Sequence, residues 1–132
     1  MNKYPLDIII PVYNEGKNIK KVLDNFEKHV ETKFRILMIF DHDTDTTFNH
    51  FSIEDYNFEI LKLKNSSLGA HSAVMTGIEH SNSSSLIIFP ADDLINQNII
   101  DKMYNKFQEG CQVVVASRFM EGGSMKGCPL LK

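Results

Sequence analysis

The chain predicts an α/β fold: an open, mainly parallel twisted sheet with helices on both faces. Short runs rich in β-branched and aromatic residues alternate with stretches of helical apolar spacing along most of its length. The runs Asp7 to Tyr13 and Phe34 to Phe40 are apolar on both faces, as strands covered from both sides require. Each intervening stretch is long enough to carry a right-handed helical crossover.

The first strand reads DIIIPVY, and its Pro11 sits where the chain leaves the ladder. From Gly16 to Glu31 the residues Ile19, Val22, Leu23, Phe26 and Val30 recur at helical spacing, with Asn14 as the expected cap and Glu15 favourable at the N-terminus. FRILMIF, Phe34 to Phe40, is the second strand. FEILKL, Phe58 to Leu63, alternates Glu59 and Lys62 with apolar residues, which predicts a sheet edge. After Asn65, Ser66 and Ser67 comes a helix whose stripe of Ala70, Ala73, Val74, Gly77 and Ile78 is small enough to lie close to a sheet. The Ser81 to Ser85 turn leads to a fourth strand, Leu86 to Phe89, which Pro90 ends because it has no N–H to donate. Ile95 to Phe107 is expected to be helical, Gly110 to stop it, and Gln112 to Ser117 (QVVVAS) to form a fifth strand. Beyond Arg118 the pattern stops. Residues 119–132 are read as a flexible tail of a single domain spanning 1–132, the N-terminal part of a longer catalytic domain.

Bulk properties exclude several classes of partner. With 132 residues the chain is long enough for one core and short of two. A formal charge of -3 offers no basic face for nucleic acid. Cys111 and Cys128 make no disulfide framework and read as reduced thiols of a cytoplasmic protein. No apolar run approaches a membrane span and MNKYPLD has no signal-peptide core, so membrane contact is expected through a partner, a surface helix or further chain.

The unusual residues gather where strands end. Pro11, Tyr13, Asn14 and Glu15 follow the first strand, Asp41, His42 and Asp43 the second, Asp92 and Asp93 the fourth, and Arg118 the fifth. If strand order reverses between the first and fourth strands, these loops meet in one crevice. Acids around one Arg and one Tyr suit an anion that brings a divalent cation, and hard carboxylate oxygens suit Mg²⁺ or Mn²⁺. Neither a P-loop nor G-x-G-x-x-G is present to cradle phosphate through backbone N–H groups. A structural alternative stands beside each of these. Asp92 can cap the helix beginning near Ile95 with Asp93 in its first turn, Asp41 and Asp43 can be turn formers, and Arg118 can pair with Glu121.

As a set, IIIPVYNEGKNI, MIFDHDTDTT, NSSLGAHSAVMTGIEHS, IIFPADD and VVVASRFMEGGSMKGCPLL resemble, in order and spacing, the family 2 glycosyltransferases. These have the GT-A fold, a Rossmann-like sheet, and the similarity is to the dolichol-phosphate mannosyltransferase and polyprenol-phosphate glycosyltransferase branch. The resemblance implies that Pro11, Tyr13 and Glu15 hold a UDP- or GDP-linked sugar donor, with Tyr13 near the base and Glu15 on the ribose. Asp41 would hydrogen-bond the base, with Asp43 beside it. Asp92 would take the part of the metal-binding acid, assisted by Asp93, and Arg118 would face the diphosphate or the acceptor phosphate. The implied acceptor is a lipid phosphate at the inner face of a membrane, for envelope glycan synthesis, with a second copy of the chain as a candidate partner. Two departures stand out: Pro90 replaces the first acid of the family's D-x-D, and DHDTDTT replaces the commoner DDGSTDGT. Two other readings remain open. Asp43 and Asp45 match the D-x-D-x-T of aspartate-nucleophile phosphohydrolases, and the chain could bind nucleotide-sugar without catalysis.

Overall fold

Three successive isoleucines place apolar side chains on both faces of the strand Leu6–Val12 (β1), and this strand lies inside the sheet. The structure, a computed structural model, describes residues 3–124. β1 pairs in parallel with Phe34–Phe40 (β2) on one edge and with Ser85–Ile88 (β4) on the other, so that Ile9 lies between Leu37 and Ile88. Glu59–Lys64 (β3) pairs in parallel with β2, which gives the order β3-β2-β1-β4. β3 is an edge strand, as its alternating charges predict. Sequence order reverses beside β1, whose neighbours are β2 and β4, and a crevice opens there in an open parallel sheet.

Helices cover both faces. On one face Ile8, Ile10, Ile36 and Met38 pack with Val22 and Phe26 of the helix Asn18–His29 (α1) and Ile100 of the helix Ile100–Gln108 (α3). On the other, Ile9, Leu37 and Ile39 lie under Ala73 of the helix Ala70–His80 (α2). The small-residue stripe does what its composition suggests: a Cβ on Gly77 would lie 2.6 Å from Ile9 Cγ2. Among the described residues no helix is long and apolar enough to cross a membrane.

Two expected elements differ. Residues 112–117 form no strand and pair with none, and Val113 and Val115 are 81% and 75% exposed. β-branched residues favour extended backbone, but a strand exists only where a ladder receives it, and the sheet ends at β4. The helix expected from Ile95 begins instead as a 3₁₀ turn at Asn96–Ile99, and α3 starts only at Ile100. The expected tail divides: residues 119–124 are exposed, and the remainder, with Cys128, lies outside the described residues.

A buried ion pair ties β1 to β2 near the start of the sheet. Arg35 Nε and Nη2 donate to Asp7 Oδ1 and Oδ2 at 2.9 and 2.7 Å, and Ser81 Oγ donates to Oδ2 at 2.7 Å. Burial alone would push the Asp7 pKa up; the guanidinium and hydroxyl reverse this and hold it below the usual carboxylate range. The contribution to stability is complete above the ordinary aspartate value near ~3.9 and is lost as pH falls below it through the lowered folded-state value.

Arg35→Met strands a buried carboxylate and should cost about 3–5 kcal/mol in urea unfolding at neutral pH. That loss should shrink in acid as Asp7 is protonated; a cost that did not change with pH would rule out the charge pair as its source. Gly77→Ala should destabilise although it gains about 1 kcal/mol of helix propensity, because the crowding against Ile9 costs about 1–3 kcal/mol. A raised urea midpoint for this variant would mean that α2 can move away from the sheet at little cost.

Candidate functional site

All four strands leave the sheet at one edge, and a cavity of about 370 Å³ opens there. Pro11, Val12, Tyr13 and Glu15 from the end of β1, Asp41 from the end of β2, and Gly69, Ala70 and Ala73 from α2 and its approach line it. That volume lies within the range of small-molecule sites, about 300–1,000 Å³. A second groove of about 410 Å³ runs along β4 at the opposite end of the sheet, but no carboxylate or cation lines it.

Four predicted residues thus meet: Pro11, Tyr13, Glu15 and Asp41. Tyr13 is 61% exposed, an unusual amount for an aromatic ring, and stands edge-on to His42 with centroids 6.2 Å apart. Glu15 Oε1 accepts from the Tyr13 N–H at 3.2 Å, which steadies the turn between them. Asp41 is the most firmly held. Its Oδ1 accepts from Asn65 Nδ2 at 2.7 Å and its Oδ2 from the Gly69 N–H at 3.0 Å. These two bonds, Asn65 first, hold its pKa below the usual carboxylate range, so it is an acceptor only at neutral pH.

The loops after β1 and β2 are fastened to each other. Asn14, at φ 50°, does not cap α1; its Oδ1 accepts from the Thr46 N–H at 3.0 Å. In return Asp45 Oδ1 accepts from the Asn14 N–H at 3.1 Å and from the Thr47 N–H at 2.8 Å. Asp45 is buried and caps the 3₁₀ turn Thr46–Asn49. Asn tolerates the left-handed conformation, and Asp-x-Thr is a capping pattern, so both signals were present in the sequence without revealing that they join two loops.

Other predicted residues lie outside this cavity. Asp43 points to solvent and pairs with Lys64 at 2.6 Å, an exposed contact of the kind that adds little. With Asp43 outside and Asp45 buried as a cap, the two do not form the paired carboxylates of a phosphohydrolase. Asp93, not Asp92, holds the bend that leads into the 3₁₀ turn, although neither that turn nor α3 has a side-chain cap: its Oδ1 accepts from the Ile95 and Asn96 N–H groups, each at 2.9 Å, and its Oδ2 from Asn96 Nδ2 at 2.6 Å. Burial opposes its ionisation, but these bonds outweigh that and keep its pKa low. Asp92 is exposed in the turn after β4, at the same sheet edge, with no hydrogen-bond partner among the described residues. Arg118 is exposed over the Phe119 ring at 5.8 Å and forms no ion pair with Glu121. Among the described residues no three His, Cys, Asp or Glu side chains converge as a metal site. Among the described residues at this edge, Asp92 is a carboxylate without a protein partner, a hard oxygen donor of the kind that suits an ion completing its shell with phosphate oxygens and water.

The family model described as Glycosyl transferase family 2 matches residues 7–131. The chain is 25% identical over 117 residues to the glycosyltransferase GlyG of Streptococcus pneumoniae, covering 86% of the chain and 38% of that relative. It is 20% identical over 129 residues to a dolichol-phosphate mannosyltransferase of Pyrococcus furiosus, covering 96% of the chain and 37% of that relative. It therefore spans well under half the length of these curated relatives. Among solved structures, S. aureus TarS residues 1–349 superpose with a TM-score of 0.65 at 20% identity, over 79% of this chain and 32% of that one. The same protein has been solved with UDP-GlcNAc.

Asp93→Ala should lower stability by about 0.5–2 kcal/mol, because the Ile95 and Asn96 N–H groups lose the carboxylate they donate to, much as at a lost helix cap. It should leave nucleotide affinity within about twofold, a change below roughly 0.5 kcal/mol. Full stability with a large loss of turnover in a longer form of the protein would instead make Asp93 catalytic.

Proposed function

The chain belongs to glycosyl transferase family 2, and on that premise we propose that it is the donor-binding domain of a glycosyltransferase that moves a sugar from a nucleoside diphosphate to a lipid phosphate. The observation that carries this reading is the cavity at the strands' carboxyl edge, where an exposed aromatic ring and an ionised, immobilised carboxylate stand on neighbouring strand ends. Tyr13 stacks on the base, Asp41 accepts a hydrogen bond from the base edge, and Glu15 accepts from the ribose. Arg118, which lies outside the cavity, would face the diphosphate or the acceptor phosphate.

The reaction breaks the bond between the anomeric carbon and the donor phosphate as the acceptor oxygen attacks. Negative charge then builds on the leaving diphosphate and must be countered. Asp92 would hold Mg²⁺ or Mn²⁺ together with diphosphate oxygens, and the bound ion would supply that counter-charge. A hydroxyl acceptor needs a general base, whereas a phosphate monoester, with a second pKa near ~6, arrives largely ionised. Asp93, the nearest candidate base in sequence, is engaged by the backbone N–H groups of Ile95 and Asn96. This supports a phosphate acceptor, as does the name of the dolichol-phosphate relative. A second reading, donor binding without transfer, is favoured by Pro90 in place of an acid and by the lack, among the described residues, of three converging metal-ligating side chains.

Calorimetric titration should detect UDP or GDP binding that strengthens at least about tenfold with Mn²⁺ and weakens again with EDTA, a change of roughly 1.4 kcal/mol. Asp92→Ala should remove the metal-dependent part and leave the remainder. Retention of the full Mn²⁺ effect would exclude Asp92 as the metal ligand, and failure of both nucleotides to bind would exclude the proposed function.

A further inference from the structure

The buried amide of Asn65 lies behind the cavity and is joined to three elements. Asn65 is 7% exposed, and its backbone N–H donates to Phe40 O at 2.8 Å. Its Nδ2 donates to Asp41 Oδ1 at 2.7 Å and to Gly69 O at 3.1 Å. Its Oδ1 accepts from Ser72 Oγ at 2.7 Å and Thr76 Oγ1 at 3.2 Å, both on α2. Flipping the amide would set its oxygen against the Asp41 carboxylate and the Gly69 carbonyl, and its NH₂ against the Ser67 N–H, which donates to Oδ1 at 3.4 Å. Only one orientation satisfies all the partners.

We propose that Asn65 is a positioning residue that makes the cavity selective for bases with a ring N–H at their pairing edge. This rests on the reading of the cavity as a nucleoside diphosphate site. Asn65 and the Gly69 N–H each occupy one oxygen of Asp41 from the protein side, which leaves further lone pairs for a ligand. A carboxylate held in this way only accepts. Uracil, with its N3–H, or guanine, with its N1–H, donates to it through a charge-assisted bond. Cytosine N3 and adenine N1 are acceptors, so the same contact sets lone pair against lone pair. Without Asn65 the carboxylate is held only by the Gly69 N–H and is free to turn away, and the distinction weakens.

UDP and CDP form one minimal pair for the test, and GDP and ADP a second of the same kind. Calorimetry on the full chain should give a preference of about tenfold or more for the N–H member of whichever pair binds, the size expected of one lost hydrogen bond. Asn65→Ala should bring that ratio to within about threefold, chiefly by weakening the N–H member, a swing of roughly 0.7 kcal/mol or more. Ser72→Ala removes only one anchor from the Asn65 oxygen, on a half-buried helix position, and should move the ratio in the same direction if Asn65→Ala does not fold. Equal weakening of both members, or an unchanged ratio in Ser72→Ala, overturns the proposal and reduces Asn65 to a structural link. Failure of the unmodified chain to bind any of the four nucleotides overturns the nucleotide reading, and the selectivity with it.

Discussion

β1 is hydrogen-bonded in parallel to β2 on one side and β4 on the other, and β3 extends the same pattern, so all four strands leave the sheet at one edge. Everything at the candidate site follows from this. A parallel ladder needs a crossover between successive strands, and those crossovers hold the helices against both faces. The loops that precede them are therefore crowded together at a single edge. An antiparallel arrangement of the same segments would send Tyr13 and Asp41 to opposite ends of the molecule.

The acidic residues at that edge do several kinds of work. Asp45 and Asp93 are bound to backbone N–H groups and shape the turns that carry them. Asp41 is held on one side by protein donors and open on the other. Asp43 and Asp92 face solvent, the first paired with a lysine and the second without a partner among the described residues. A carboxylate whose lone pairs are filled by protein N–H groups is stabilised as an anion, but it has little capacity left for a ligand. The acids adjacent in sequence therefore have different chemistry.

Rigidity at the edge depends on contacts behind it. Asp7 and Arg35 fasten β1 to β2 near the strands' starts, and Asn65 links the ends of β2 and β3 to α2. Between these anchors α2 lies close enough to Ile9 that Gly77 has no room for a side chain. Close packing limits how far α2 can shift without moving Gly69 and Ala70 at the cavity wall. The loops after β1 and β2 are fixed separately, through Asn14 and Asp45.

Local pattern alone was enough to establish the alternation of strand and helix, the interior place of β1, the edge character of β3 and the small-residue face of α2. Each of these reflects a short-range periodicity of apolar residues. The same pattern placed Pro11, Tyr13, Glu15 and Asp41 at strand ends, and their meeting in one cavity follows once the sheet is parallel. Tertiary structure decided the rest, because it depends on partners distant in sequence. Whether QVVVAS becomes a strand depends on an edge to receive it, and in this structure it pairs with none. Which aspartate holds a turn and which faces the cavity depends on where N–H groups fall in three dimensions. The link from Asn65 to Asp41 spans 24 residues and contact across two strand ends, a relation that no spacing rule within one element can express.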